Sequence, residues 1–193
     1  MRRDELLKYL EILGQELEKS DLHGEIIITG GAAMCLVHSA RDATKDIDAL
    51  YEPKSEIHAL AEKIASEHDL PQNWLNDGVK GFIGGNVEVA EFMQTGGLKI
   101  SAVTPEYLLA MKLMSSRVEG QDYSDIKFLL RKLNIRTSED AASVIKRFFP
   151  LERILPKTGY VIEQFLDELG ANSAERDGSA VSEGAKTLQK RRF

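Results

Sequence analysis

The run Glu25-Ile26-Ile27-Ile28-Thr29 ends on two consecutive glycines, Gly30 and Gly31. Three β-branched isoleucines in a row favour a buried strand. The paired glycines then require a turn, and the small residues from Ala32 to Ser39 permit a helix directly after it. Sixteen residues past Gly30, Asp46-Ile47-Asp48-Ala49-Leu50-Tyr51 reads as a second short strand, stopped by Pro53. The rest of the chain is read around these two strands.

Leu6, Leu10, Leu13 and Leu17 recur at helical spacing, so an amphipathic helix is expected over residues 3–19. Lys54 to His68 carries Ile57, Leu60, Ala61 and Ile64 on one stripe and predicts another. After a loop through Trp74 and Asp77, strands are expected over Val87 to Met93 and Leu98 to Val103, joined at Gly96-Gly97 as a hairpin. From residue 104 the pattern is helical. Thr104-Pro105-Glu106 combines a hydroxyl cap with proline at the first helical position. Further helices are expected from Asp122, from Ser138 to about Pro150, and from Pro156 to Leu169. The chain therefore predicts an α/β (α+β) fold: a core over residues 1–103, a helical C-terminal lobe over 104–171 that completes a cleft, and a loose tail over 172–193.

Composition narrows the class. The 193 residues are 42% hydrophobic and 29% charged, ordinary for a folded domain. No apolar run approaches the roughly 20 residues of a membrane span, and no signal-like apolar region follows Met1, so a cytoplasmic protein is expected. A net charge of −6 argues against broad, salt-driven binding to nucleic acid, though it permits a local basic groove. One cysteine, Cys35, excludes an internal disulfide and a multi-cysteine metal site, and suits small core filler. The four histidines are scattered without ligand spacing.

Asp46 and Asp48 are the sharpest chemical signal. Two apart on a strand, they project to one face. Like charges that close repel in a partly dry site unless a cation lies between them. Mg²⁺ (or Mn²⁺) takes oxygen ligands and is typically held by one or two carboxylates plus substrate phosphates. A bare Asp-x-Asp more often marks a solvated edge strand, but here the context favours a site. Glycines let a backbone approach phosphate closely, and a helix N-terminus offers unpaired N–H groups. Arg41, Thr44 and Lys45 stand just before the acids; Arg41 suits either a phosphate contact or a surface charge, and Lys45 suits a solvated one. Lys112 falls on the stripe of Leu108 and Leu109, so it should face inward, either snorkelling out or reaching into a polar cleft. Asp122 followed by Asp125 also fits an ordinary helix cap.

Taken together, Ile28-Thr29-Gly30-Gly31-Ala32-Ala33 and Arg41-Asp42-Ala43-Thr44-Lys45-Asp46-Ile47-Asp48 resemble the signature of minimal nucleotidyltransferases of the DNA-polymerase-β type. More narrowly, the chain resembles AbiEii-type toxin-like bacterial proteins. The likeness continues through Pro105 to Leu113 with Arg117, and through Asp122-Tyr123-Ser124-Asp125-Ile126, covering roughly residues 25–133. It implies a nucleotidyltransferase-type mixed sheet flanked by helices. It also implies a phosphate turn at Gly30 and Gly31 assisted by Arg41, Thr44 and Lys112, metal binding by Asp46 and Asp48, and a later acidic motif at Asp125, preferred over Asp122 because an apolar residue follows it. The wider superfamily often adds a third carboxylate from a neighbouring strand. Glu88 and Glu91 both fit, but at most one can face the site, and Glu88 is preferred. The activity implied is transfer of a nucleoside monophosphate from a nucleoside triphosphate to a tRNA or protein hydroxyl, as the toxin of a pair with an antitoxin protein. A nucleotide-binding or partner-binding module without turnover is the alternative.

Overall fold

The computed structural model describes residues 1–115 and 120–170. Arg117 and the tail expected over 172–193 lie outside the described residues. Helix α1 (Arg3–Lys19) buries Leu6, Leu10, Leu13 and Leu17 completely, as their spacing requires. Strand β1 (Gly24–Ile28) runs into α2 (Gly30–Leu36), β2 (Ile47–Glu52) follows, and α3 (Lys54–Glu67) leads to a two-residue strand β3 (Leu75–Asn76). A short 3₁₀ segment (Gly78–Phe82) precedes the hairpin of β4 (Val89–Thr95) and β5 (Leu98–Val103). The helices α4 (Pro105–Met114), α5 (Gln121–Lys132), α6 (Ser138–Phe148) and α7 (residues 156–170) complete the described chain.

The five strands form one mixed sheet in the order β3-β2-β1-β5-β4. β1 lies at its centre, antiparallel to β2 and parallel to β5. Its alternation puts Ile26 and Ile28 into the core, while β2 contributes Ile47, Ala49 and Tyr51. Helix α1 crosses β4 and β5 so closely that a Cβ on Gly14 would lie 2.1 Å from the carbonyl oxygen of Thr95. Only a residue without a side chain fits there, and Gly97 uses the proximity to donate to the Gly14 carbonyl at 2.9 Å.

Two local features place the site. Trp74, fully buried, donates its indole N–H to the Ala61 carbonyl at 3.0 Å, and its own carbonyl accepts from Ile47 at 2.7 Å. This pins β3 beside β2, with Asn76 in register with Asp48. On the other side, Thr104 caps α4 by accepting from the Tyr107 N–H at 3.3 Å, with Pro105 opening the first turn. Helix α4 is buried along nearly its whole length, against α5 and α6. No helix among the described residues is long and apolar enough to cross a membrane.

Candidate active site

Thr29, fully buried at the end of β1, donates both its backbone N–H and its hydroxyl to the backbone oxygen of Asp48, at 2.9 and 3.0 Å. The hydroxyl is therefore spent on β2 rather than on capping α2. The glycine turn and the acidic strand are thus locked to each other. Gly30 has φ +54°, a left-handed conformation open to glycine at little cost, and a Cβ there would lie 3.3 Å from Asp48 Oδ2. A Cβ on Gly31 would lie 2.8 Å from Thr44 Oγ1 and 2.9 Å from Arg41 Nη1. Helix α2 begins at Gly30 itself, two residues earlier than expected, and has only seven residues. What the turn offers is close backbone approach more than a long helix dipole.

Asp46 and Asp48 both line a cavity of about 530 Å³, together with Gly30, Gly31, Arg41, Thr44 and Lys112. The expected turn, acidic pair and lysine therefore meet in one place. Burial, and then the charge of Asp48, raise the Asp46 carboxyl above the usual carboxylate value. Asn76 donates to Asp46 Oδ2 at 3.4 Å, and its own Oδ1 accepts from the Gly78 N–H at 2.9 Å. Thr44 is fixed by an N–H to the Met1 carbonyl at 3.0 Å, next to a bridge between Arg2 and Ala43.

The cations divide into two kinds. Arg41 and Lys112 are held from behind by the first turns of α5. Arg41 Nε donates to Asp125 Oδ1 at 2.8 Å, its Nη2 bonds Asp125 Oδ2, and its Nη1 donates to Gln121 at 2.8 Å. Lys112, 7% exposed, places Nζ 2.7 Å from both Asp122 Oδ1 and Asp125 Oδ2. Inward burial was expected of this lysine, and paired carboxylates are what make it tolerable. Lys45 also lines the cavity, exposed and with no ion pair among the described residues, although its sequence position suggested only a solvated charge.

Two expected site residues stand elsewhere. Asp125 is 2% exposed and does not line the cavity; both of its oxygens are taken by Arg41 and Lys112. Glu88 sits just before β4, where Arg147 on α6 grips it at 2.6 and 2.7 Å, and it too is absent from the cavity wall. Its edge strand is separated from β2 by β1 and β5, too far to complete the acidic pair. Asp122, read equally as a helix cap, caps nothing: Gly120 holds that position and the Asp122 side chain turns to Lys112. Among the described residues, no group of three or more His, Cys, Asp or Glu is gathered to hold a metal ion.

A family model described as nucleotidyltransferase of unknown function (DUF6036) matches residues 5–138, which run from α1 through α5 and contain every residue named above as lining the cavity. The chain belongs to this family. DUF6036 membership thus covers the glycine turn, the acidic pair and the α4–α5 ion cluster as one unit. The chain is also similar to an antigenic nucleotidyltransferase-like protein from Paracoccidioides brasiliensis, known from a crystal structure, with 18% identity and a TM-score of 0.41 over 76% of this chain and 94% of that one. No curated protein matches the chain.

Proposed function

We propose that the protein transfers a nucleoside monophosphate from a nucleoside triphosphate to an acceptor hydroxyl. The observation that carries this reading is the pair of bonds from Thr29 to the Asp48 oxygen, which sets the glycine turn against two carboxylates that line the same cavity. The residues fit a divalent metal. Burial first, and then the charge of Asp48, raises the Asp46 carboxyl, and two hard oxygen donors suit Mg²⁺ or Mn²⁺ when phosphate oxygens and water fill the other positions. Asp46 and Asp48 would hold the ion, which when bound neutralises phosphate charge during in-line displacement.

The chain's own groups account for the rest. Gly30 and Gly31 let the triphosphate approach the backbone. Lys45 and Lys112 meet its charge, with Asp122 and Asp125 holding Lys112 in place and Arg41 bracing the loop against α5. The acceptor oxygen bonds to the α-phosphorus as the bond to the β-phosphate oxygen breaks; pyrophosphate leaves and the hydroxyl proton passes to solvent. The AbiEii-like signature favours a tRNA end or a protein side chain as acceptor, and a toxin role opposed by an antitoxin. The net charge of −6 favours the protein side chain.

One observation favours a second reading, a nucleotide-binding module without turnover. Among the described residues no third carboxylate joins the pair, and an amide, Asn76, touches Asp46 instead. Incubation of cell extract with labelled nucleoside triphosphates separates the two. Label transferred to RNA or protein by the native chain and not by Asp46→Ala supports transfer. Nucleotide binding with no label transferred supports the module.

A further inference from the structure

The charged lining residues are the ones assigned above to phosphate and metal. The lining also has apolar members: Val79 and Phe82 from the 3₁₀ segment, with Leu108 and Met111 from α4. Phe82 is 54% exposed, an unusual state for a large aromatic in a cavity wall. Yet the segment bearing it is clamped at both ends. At its start, Gly78 donates to Asn76, which also holds Asp46. Asp77 is fastened to Lys54 at 2.6 Å and to Lys80 at 2.9 Å. At its far end, the buried Tyr107 hydroxyl donates to the Gly84 carbonyl at 2.7 Å and accepts from the Gly84 N–H at 3.1 Å. An exposed ring on an anchored backbone thus stands in the wall of the cavity that holds the acidic pair.

We propose that Phe82 is the seat of the nucleobase, which stacks on its open face while the triphosphate lies across the glycine turn. This rests on the nucleotide reading given above. A nucleoside triphosphate has one heavily charged end and one flat, weakly polar end, and the cavity lining likewise holds both charged and apolar groups. Base–aromatic stacking is sequence-tolerant because every base has a π-face. Val79, Leu108 and Met111 are apolar, so stacking on the ring carries the affinity and favours purines by their larger overlap.

Binding of the four nucleoside triphosphates and of inorganic tripolyphosphate, each with Mg²⁺, is measured by calorimetry on the full chain, on Phe82→Ala and on Phe82→Trp. The expected result is a roughly tenfold weaker affinity of Phe82→Ala for every nucleotide, unchanged tripolyphosphate binding, and nucleotide affinity retained in Phe82→Trp. Equal weakening of tripolyphosphate overturns the proposal, since the ring would then be shaping the cavity. Unchanged nucleotide affinity with a raised acceptor KM also overturns it, assigning the ring to the acceptor. A native chain that binds tripolyphosphate as tightly as nucleotide has no base seat, although the phosphate site stands. A native chain that binds neither loses the nucleotide reading itself.

Discussion

Arg41 and Asp125, 84 residues apart in sequence, meet as a planar fork against a carboxylate, with Nε 2.8 Å from Oδ1. Because Asp125 also neutralises Lys112 at 2.7 Å, one buried carboxylate holds two cations from different segments. Removing it leaves the two cations to share Asp122, the more exposed carboxylate, at 3.3 Å from Arg41 and 2.7 Å from Lys112. Asp125→Ala is expected to cost about 3–5 kcal/mol, the penalty for breaking a buried pair from one side. Asp122→Ala should cost clearly less, because Asp122 is 29% exposed and Lys112 keeps its other partner. Thermal or urea denaturation of the two variants checks the order.

The acidic pair has a pH signature. Burial and the neighbouring charge raise the Asp46 carboxyl in the folded chain above its ordinary 3.8. A raised value means that the folded state holds this proton more tightly than the unfolded state does. The associated stability is fully present below the unfolded value and is lost as pH rises through the folded one. At pH 7 without metal, ionised Asp46 therefore opposes folding. Asp46→Asn should raise Tm at pH 7, with the gain fading as pH falls through the raised value towards 3.8 and absent below it. Added Mg²⁺ should raise Tm in the native chain and not in the variant. Melting curves across pH, with and without metal, test both statements.

Gly30→Ala forces an L residue into a left-handed conformation at φ +54° and sets a methyl 3.3 Å from Asp48 Oδ2. A loss of about 1–2 kcal/mol follows from the backbone alone. Gly31→Ala crowds only the movable ends of Thr44 and Arg41, so its stability should change less while triphosphate affinity falls. Denaturation and nucleotide titration of the two variants, side by side, distinguish strain from obstruction.

Asn76→Asp sets a carboxylate where an amide now touches Asp46. If the pair binds a divalent ion, a third negative oxygen should tighten Mn²⁺ binding several-fold, since affinity follows ligand charge. Without metal, the same change should lower Tm through repulsion. Calorimetric Mn²⁺ titration decides, and unchanged affinity would speak against a metal at that spot.

Much of this architecture could be read from residue patterns. The leucine spacing of α1, the isoleucine run of β1 and the Thr104-Pro105 start of α4 are local signals whose physics acts within a few residues, and the structure has all three. The resemblance to nucleotidyltransferases implied one site for Gly30, Asp48 and Lys112, and all three line the cavity, while helix spacing alone left Lys112 open between solvent and cleft. Features built by distant pairing were hidden. β3 has two residues, too few for a period, and exists because Trp74 anchors under α3. The 3₁₀ segment that carries Phe82 lay inside a region read as plain loop. Asp125 carried an acid's signature, but its burial between Arg41 and Lys112 depends on how α5 packs. Glu88 matched an apolar-acid-apolar pattern, and only the position of Arg147 on α6 shows where that acid turns. Lys45 gave no signal beyond its adjacency to Asp46.

The shared carboxylate of α5 has a practical corollary for dissecting the chain. A fragment ending at Val103 would keep both glycines, Asp46 and Asp48, yet it would lack Lys112 and leave the Arg41 guanidinium without its counter-charge. Such a piece would own every hallmark of the signature and still be an incomplete binder, so the helices after the sheet are better treated as half of the cleft than as an accessory to be trimmed away.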